Sequence, residues 1–342
     1  MKVAIDASPL KNQHNTRGIG SYTQNLIESF KRLKEGIELE QFYDPKNPPN
    51  VDVVHYPYFD FYFNTLPIFK KQKRVVTIHD VIPLVFPDKF PAGLKGRFNL
   101  QRQKLALKNT DAVICDSVTS KQDIINKLGY PQDKIHAVYL AQGKNFKKIN
   151  DKKLLNKISK KYKLPLRFIL YVGDVNWNKN LPNLLEASKL ADVNLVMVGK
   201  AILDENLEQT KSLISKMKSI GISEKVLRLG YIQEEDLISI YNLASATLVP
   251  SFYEGFGLPV LESMTCGTPV ICSKNSSLTE IAEEAAIYCD PNDSKDIALK
   301  INQTIGLKKP DLSERLISHA KKFSWEKVAT ETIRVYKKVA LE

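Results

Sequence analysis

Residues 247–272 read TLVPSFYEGFGLPVLESMTCGTPVIC. A short apolar run at 247–249 leads into a loop holding Gly255 and Gly257, then a helical pattern opened by Pro259, then a β-branched run at 270–272. Proline suits a first helical turn, where its missing N–H is not needed, and Gly267 followed by Pro269 is an ordinary stop signal. Strand, turn, helix, strand is the repeating unit of a parallel α/β sheet. The rhythm extends both ways. Strands are predicted at 168–172, 194–198, 226–229 and 286–289, with helices at 181–190, 207–219, 235–244 and 278–284, which completes one doubly wound domain.

The first half repeats the theme less regularly. Strands are expected at 3–6, 51–55, 74–79, 112–115 and 135–138, with helices near 20–33, 93–108 and 117–128, the last N-capped by Ser117. A lysine-rich stretch at 145–165, with Leu154, Leu155 and Ile158 at helical spacing, separates the halves. The expected domains are 1–160 and 161–324. Two such sheets facing one another leave a cleft lined by strand carboxyl ends, where folds of this kind bind ligands.

With 342 residues, 43% hydrophobic and 26% charged, the chain is far from disordered, collagen-like or coiled-coil compositions. The net charge of +12 is uneven: residues 1–160 hold 27 Lys/Arg against 15 Asp/Glu, and 161–342 hold 23 against 23. A basic half suggests an anionic partner, whether nucleic acid, membrane surface or phosphorylated ligand. Asp6 follows only three apolar residues, and no run of about 18 apolar residues occurs, so neither a secretory signal nor a membrane span is expected. Cys115, Cys266, Cys272 and Cys289 form no C-x-x-C pair and read as reduced, buried residues of a cytoplasmic protein.

Gly255 and Gly257 allow close backbone approach, and the helix start behind them offers N–H groups and a positive dipole end to a phosphate. Glu254 and Glu262, strong acceptors, suit two separated hydroxyl groups of one ligand. From the glycines alone, a tight turn with both glutamates solvated is an equal reading.

The whole string from Glu254 through Glu262 to Ile271 resembles the donor-site signature of the retaining glycosyltransferases of family 4, among them mannosyltransferase-like members. Other segments fall in that family's order: Arg17-Gly18-Ile19-Gly20-Ser21-Tyr22 as the glycine-rich loop after the first strand, Thr77-Ile78-His79-Asp80 as its His-Asp motif, and Tyr171-Val172-Gly173 to Lys179-Asn180 as the opening of the donor domain. The resemblance implies a GT-B fold, an acceptor-side first domain, and a last helix at about 325–342 crossing back onto it.

It also implies roles. Glu262 would accept ribose hydroxyls, Glu254 a hydroxyl of the transferred hexose, and Gly255, Phe256, Gly257 and Leu258 would meet sugar and diphosphate through their backbone. Lys179 would bind the diphosphate, with Gly18 and Gly20 approaching it from the first domain. His79 would contact the sugar, and Asp80 would serve on the acceptor side. Glu254, Lys179 and His79 are thus the expected catalytic residues. The family commonly carries an arginine where this chain has Asp174 or Asn178, a departure that leaves a nucleotide-sugar binder of weak or no activity as the alternative.

No D-x-D occurs, so no metal is expected and no cofactor beyond the nucleotide-sugar donor, GDP-mannose or a UDP-hexose. The acceptor would be a glycan or lipid-linked acceptor in cell-surface polysaccharide or glycolipid synthesis. The aromatics at 56–69, followed by Lys70-Lys71-Gln72-Lys73-Arg74, suggest that the first domain meets an anionic membrane on the cytoplasmic side; a core role for the aromatics is an equal reading. Nucleic-acid binding is the remote alternative, disfavoured because the better motif lies outside the basic half.

Overall fold

The computed structural model describes residues 1–11, 18–33, 36–305 and 309–342, with the side chains of 309 and 310 outside the description. The chain divides into two compact units, Met1–Ala141 with Phe323–Glu342, and Gln142–Lys322.

In the first unit six parallel strands, β1 (Lys2–Asp6), β2 (Glu38–Phe42), β3 (Val53–Tyr56), β4 (Lys73–Thr77), β5 (Ala112–Cys115) and β6 (Ile135–Ala137), form a sheet in the order β2-β1-β3-β4-β5-β6. Strands β3 and β5 are buried along their whole length, as a sheet covered on both faces requires. Strand β2 was not expected from the sequence. Its first four residues, ELEQ, alternate between exposed and partly buried positions at the sheet edge and only Phe42 is buried, so it lacks the apolar run that marks a central strand. Ser117 caps the helix Val118–Leu128 as expected, its Oγ accepting the Ser120 N–H at 3.0 Å.

The C-terminal helix Trp325–Leu341 packs into this unit. Ser324 caps it, and Val328, Ala329, Ile333, Tyr336 and Val339 form its buried stripe. A polar chain runs through the packing: the Tyr336 hydroxyl lies 2.6 Å from His55 Nδ1, His55 Nε2 lies 2.8 Å from Thr77 Oγ1, and Tyr22 Oη lies 3.1 Å from the same Thr77 oxygen. Burial pushes the His55 imidazole down to about 3, with a small push from His79, so the ring stays neutral and offers one donor and one acceptor. The chain joins β3, β4, the first helix and the last.

The second unit repeats the architecture with β7 (Phe168–Val172), β8 (Asn194–Val198), β9 (Val226–Leu229), β10 (Ala246–Val249), β11 (Val270–Ser273) and β12 (Ile287–Cys289) in the order β12-β11-β10-β7-β8-β9. These six match the sequence reading closely. The boundary does not. It falls after Ala141 rather than at 160, because the helix Lys152–Lys161 packs against the helix Glu234–Leu243. Ile158 is buried with Phe168, Ile238 and Tyr241, and the Tyr162 hydroxyl donates to Asp236 at 2.7 Å. The expected aromatic surface at 56–69 is also largely interior: Tyr56, Phe59 and Phe61 are buried in the first unit's core, leaving Phe63 and Phe69 exposed.

Replacing Tyr336 by Phe leaves His55 Nδ1 buried without its partner. Such a loss costs about 1–3 kcal/mol, so chemical denaturation of the full chain should show a lowered midpoint, while Tyr288→Phe on the exposed rim of the second unit should leave it nearly unchanged.

Candidate active site

Strands β7 and β10 lie side by side where the strand order reverses, the place at which doubly wound sheets bind ligands. The segments leaving their carboxyl ends, 173–180 and 250–257, carry Lys179 and Glu254. Several contacts join them. Asn178 Nδ2 donates to the Tyr253 carbonyl at 2.9 Å and its own carbonyl accepts the Phe252 N–H at 2.8 Å. Asn180, held at φ +57°, donates to the Pro250 and Pro291 carbonyls at 2.8 and 2.7 Å. Trp177 stacks on Phe252 with ring centres 5.1 Å apart. The close packing continues to β8, where a Cβ on Gly199 would stand 2.0 Å from the Gly173 carbonyl oxygen.

This framework brings the Lys179 ammonium within 2.8 and 2.9 Å of the two Glu254 carboxylate oxygens, while Ser251 Oγ donates to Oε1 at 2.6 Å. Glu254 is 7% exposed. A carboxylate so buried must be paired and hydrogen-bonded to remain charged, and here it is both. Its backbone is fixed as well: the Glu254 N–H donates to Ser276 Oγ at 3.1 Å, and Ser277 Oγ bridges the carbonyls of Glu254 and Phe256 at 2.9 Å each. Gly255, Phe256 and Gly257 are buried; Leu258 is half-buried. Gly257 sits at φ +105° with Leu278 Cδ2 2.7 Å from where a Cβ would lie, so only glycine fits at the start of the helix Leu258–Thr265.

Glu262 projects from that helix. The Tyr241 hydroxyl donates to its Oε2 at 2.6 Å. Burial, reinforced by the charge of Glu234 and opposed by the Tyr241 hydrogen bond, pushes the Glu262 carboxyl up to about 7. It therefore changes charge near neutrality.

In the first unit, His79 follows β4. Its Nδ1 lies 2.8 Å from Asp116 Oδ2 and its Nε2 3.2 Å from the Pro57 carbonyl, with the Tyr22 ring edge-on at 4.8 Å. Burial alone would lower the imidazole, but the charge and hydrogen bond of Asp116, with Asp80 and the Pro57 carbonyl, outweigh it and hold His79 above its usual value. Asp80 accepts the Ile82 N–H at 2.9 Å and so braces the turn Ile82–Val85. Gly18 and Gly20 are not loop residues: they open the helix Gly18–Leu33, with Gly18 exposed and Gly20 buried. Arg17 lies outside the described residues.

Within the second unit the structure thus unites Lys179 and Glu254. It also identifies Ser251, Asn178, Asn180, Ser276 and Ser277 around them, Tyr241 beside Glu262, and Asp116 behind His79 in the first unit. The sequence singled out none of these as supports, since hydroxyls and amides carry no spacing signature; Asn178 and Asn180 stood out only for their place in the motif. Asn178, at the position where an arginine was expected, is buried and tied to Tyr253, whereas Asp174 is exposed.

The chain belongs to the glycosyltransferases: residues 153–323 match the family of group 1 glycosyl transferases and residues 16–141 match glycosyltransferase family 4. It is 33% identical over 272 residues to the O-antigen chain mannosyltransferase B of Escherichia coli, covering 78% of this chain and 70% of that one. It is 27% identical over 263 residues to the serotype-specific mannosyltransferase WbdA of Escherichia coli, of whose length the match covers 32%. Anabaena HepE, solved with UDP-glucose, superposes with a TM-score of 0.75 at 18% identity and covers each chain completely, 100% of both. The fold is therefore GT-B, two Rossmann-like units, and the protein is a glycosyltransferase.

A carboxyl raised on folding is ionised at a cost, so Glu262 favours the folded state below its unfolded value of 4.5 and that advantage is lost as pH rises through about 7. The free protein should lose stability across that window through this group. Glu262→Gln should flatten the slope relative to the parent, as read from thermal unfolding at pH 5, 6, 7 and 8.

Proposed function

We propose that the protein is a retaining, metal-independent hexosyltransferase that moves mannose from GDP-mannose to a glycan or lipid-linked acceptor in the building of a cell-surface polysaccharide. The bidentate Lys179–Glu254 pair at the switch point of the second sheet carries this reading. Mannose is favoured because relatives named as mannosyltransferases match most of the chain; UDP-hexoses are the nearest alternative, since HepE was solved with UDP-glucose.

Departure of a nucleoside diphosphate develops negative charge on the leaving oxygen. A fixed ammonium at Lys179, already desolvated on one side by the packed turn, stabilises that charge without reorganising. With no D-x-D in the sequence, this cation and the backbone N–H groups at the start of the helix Leu258–Thr265 do the work a metal would otherwise do. Glu254 accepts a hydroxyl of the sugar and keeps Lys179 aimed; Glu262, with Oε2 held by Tyr241, presents its other oxygen to the ribose. Both glutamates then serve as hydroxyl acceptors rather than nucleophiles, so retention follows a front-face course in which the departing phosphate oxygen takes the acceptor's proton. His79, in the first unit, carries an imidazole that Asp116 biases toward the positive form.

A second reading, a nucleotide-sugar binder with little turnover, is favoured by one observation: Asn178 spends its side chain on Tyr253, and Asp174 brings a negative charge where a cation would help. A panel of GDP-mannose, UDP-glucose, UDP-galactose and UDP-N-acetylglucosamine, scored for thermal stabilisation and nucleotide release, separates the two. GDP-mannose should stabilise and turn over, with Lys179→Ala and Glu254→Ala each losing about 100-fold or more in kcat. Stabilisation without turnover would support the binder, and preference for a UDP-sugar would replace mannose in the assignment.

A further inference from the structure

The helix Gly93–Lys108 of the first unit has no clean apolar inner stripe. Its inward residues include Gly96, Asn99 and Gln103 beside Ala106 and Leu107, whereas Leu94, Phe98 and Leu105 face outward at 86%, 66% and 52% exposure. A helix lying on a sheet normally turns its apolar stripe inward. Here the inward amides have a structural task. Asn99 Nδ2 donates to the Tyr62 carbonyl at 2.7 Å, and Gln103 Nε2 donates to the Asp60 carbonyl at 2.9 Å and to Thr65 Oγ1 at 2.8 Å. They hold the loop 60–65, which carries Phe63, itself 68% exposed.

The same helix bears Lys95, Arg97, Arg102, Lys104 and Lys108 and no carboxylate. None of the five cations pairs with an acidic side chain among the described residues. Exposed leucine and phenylalanine flanked by unpaired cations on one face is the arrangement that enters the headgroup boundary of an anionic bilayer, where apolar side chains insert and lysine and arginine meet lipid phosphates. We propose that the outer face of Gly93–Lys108 docks on an anionic membrane surface. The charge selects this occupant: a second copy of a chain with net charge +12 would bring repulsion to a face that is itself wholly basic. No helix of the described residues is long and apolar enough to cross a membrane, so contact of this kind would be peripheral. The surface does not depend on which sugar is transferred, and it is distinct from the 70–74 segment, where Lys70 is paired with Asp111 and Arg74 is buried.

The full-length protein should co-sediment with phosphatidylglycerol-containing vesicles and bind pure phosphatidylcholine at least about tenfold more weakly, with each of Arg97→Gln and Arg102→Gln costing roughly fivefold. Leu94→Ser with Phe98→Ser should abolish retention, while leaving nucleotide release in detergent-free solution and the unfolding midpoint unchanged, since both side chains are exposed. Equal binding to both vesicle types, no binding to either, or unaltered binding by the double serine variant would overturn the assignment. So would a dimer of the parent that the double variant dissolves, which would make the face a contact between copies.

Discussion

A carboxylate buried to 7% exposure must be given a partner before the rest of the second unit can close around it. Glu254 receives Lys179, and that single pairing dictates much of what surrounds it. Lysine and glutamate come from loops 75 residues apart, so the loops must be locked together to hold the charges in register. Asn178, Asn180 and the Trp177–Phe252 stack do this from one side, and Ser276 and Ser277 fix the backbone of the acidic loop from the other. The glycine at 257 is then forced: with the loop pinned and Leu278 against it, no side chain can occupy φ +105°. These contacts place the charged pair without a ligand, the preorganisation that the proposed stabilisation of a leaving group needs.

The second unit was legible in the sequence because its strands are short apolar runs bounded by strong punctuation, and because the 250–269 stretch combines glycine, proline and glutamate at spacings that have a chemical meaning. The first unit was less so. Strand β2 is polar over its first four positions apart from Leu39 and lies at an edge, where pairing with β1 and the buried Phe42 at its end hold it in place. The helices Ser294–Ile305 and Lys309–Ala320 are not among the elements the sequence predicts, and what fixes the second is long-range: a Cβ on Gly267 would lie 2.1 Å from Ser313 Oγ, a close approach between residues 46 apart that no local pattern encodes. The supporting hydroxyls and amides of the site were invisible for the same reason. Their significance is in what they face, and facing is a property of the folded chain.

The boundary shows how a correct count can carry a wrong implication. Divided at residue 160, the chain has all its excess charge in the first half. Divided as it folds, the first unit holds 24 Lys/Arg against 17 Asp/Glu and the second 26 against 21, because the lysine-rich segment 142–160 belongs to the second unit. The broad argument for a basic domain therefore weakens, and a local one takes its place. Over the 16 residues of Gly93–Lys108 five cations stand without one carboxylate, on a helix that turns Asn99 and Gln103 to the interior and Leu94, Phe98 and Leu105 to the outside. At a distance comparable to the Debye length, about 8–10 Å at ordinary ionic strength, a partner responds to such a cluster rather than to the charge of the whole domain.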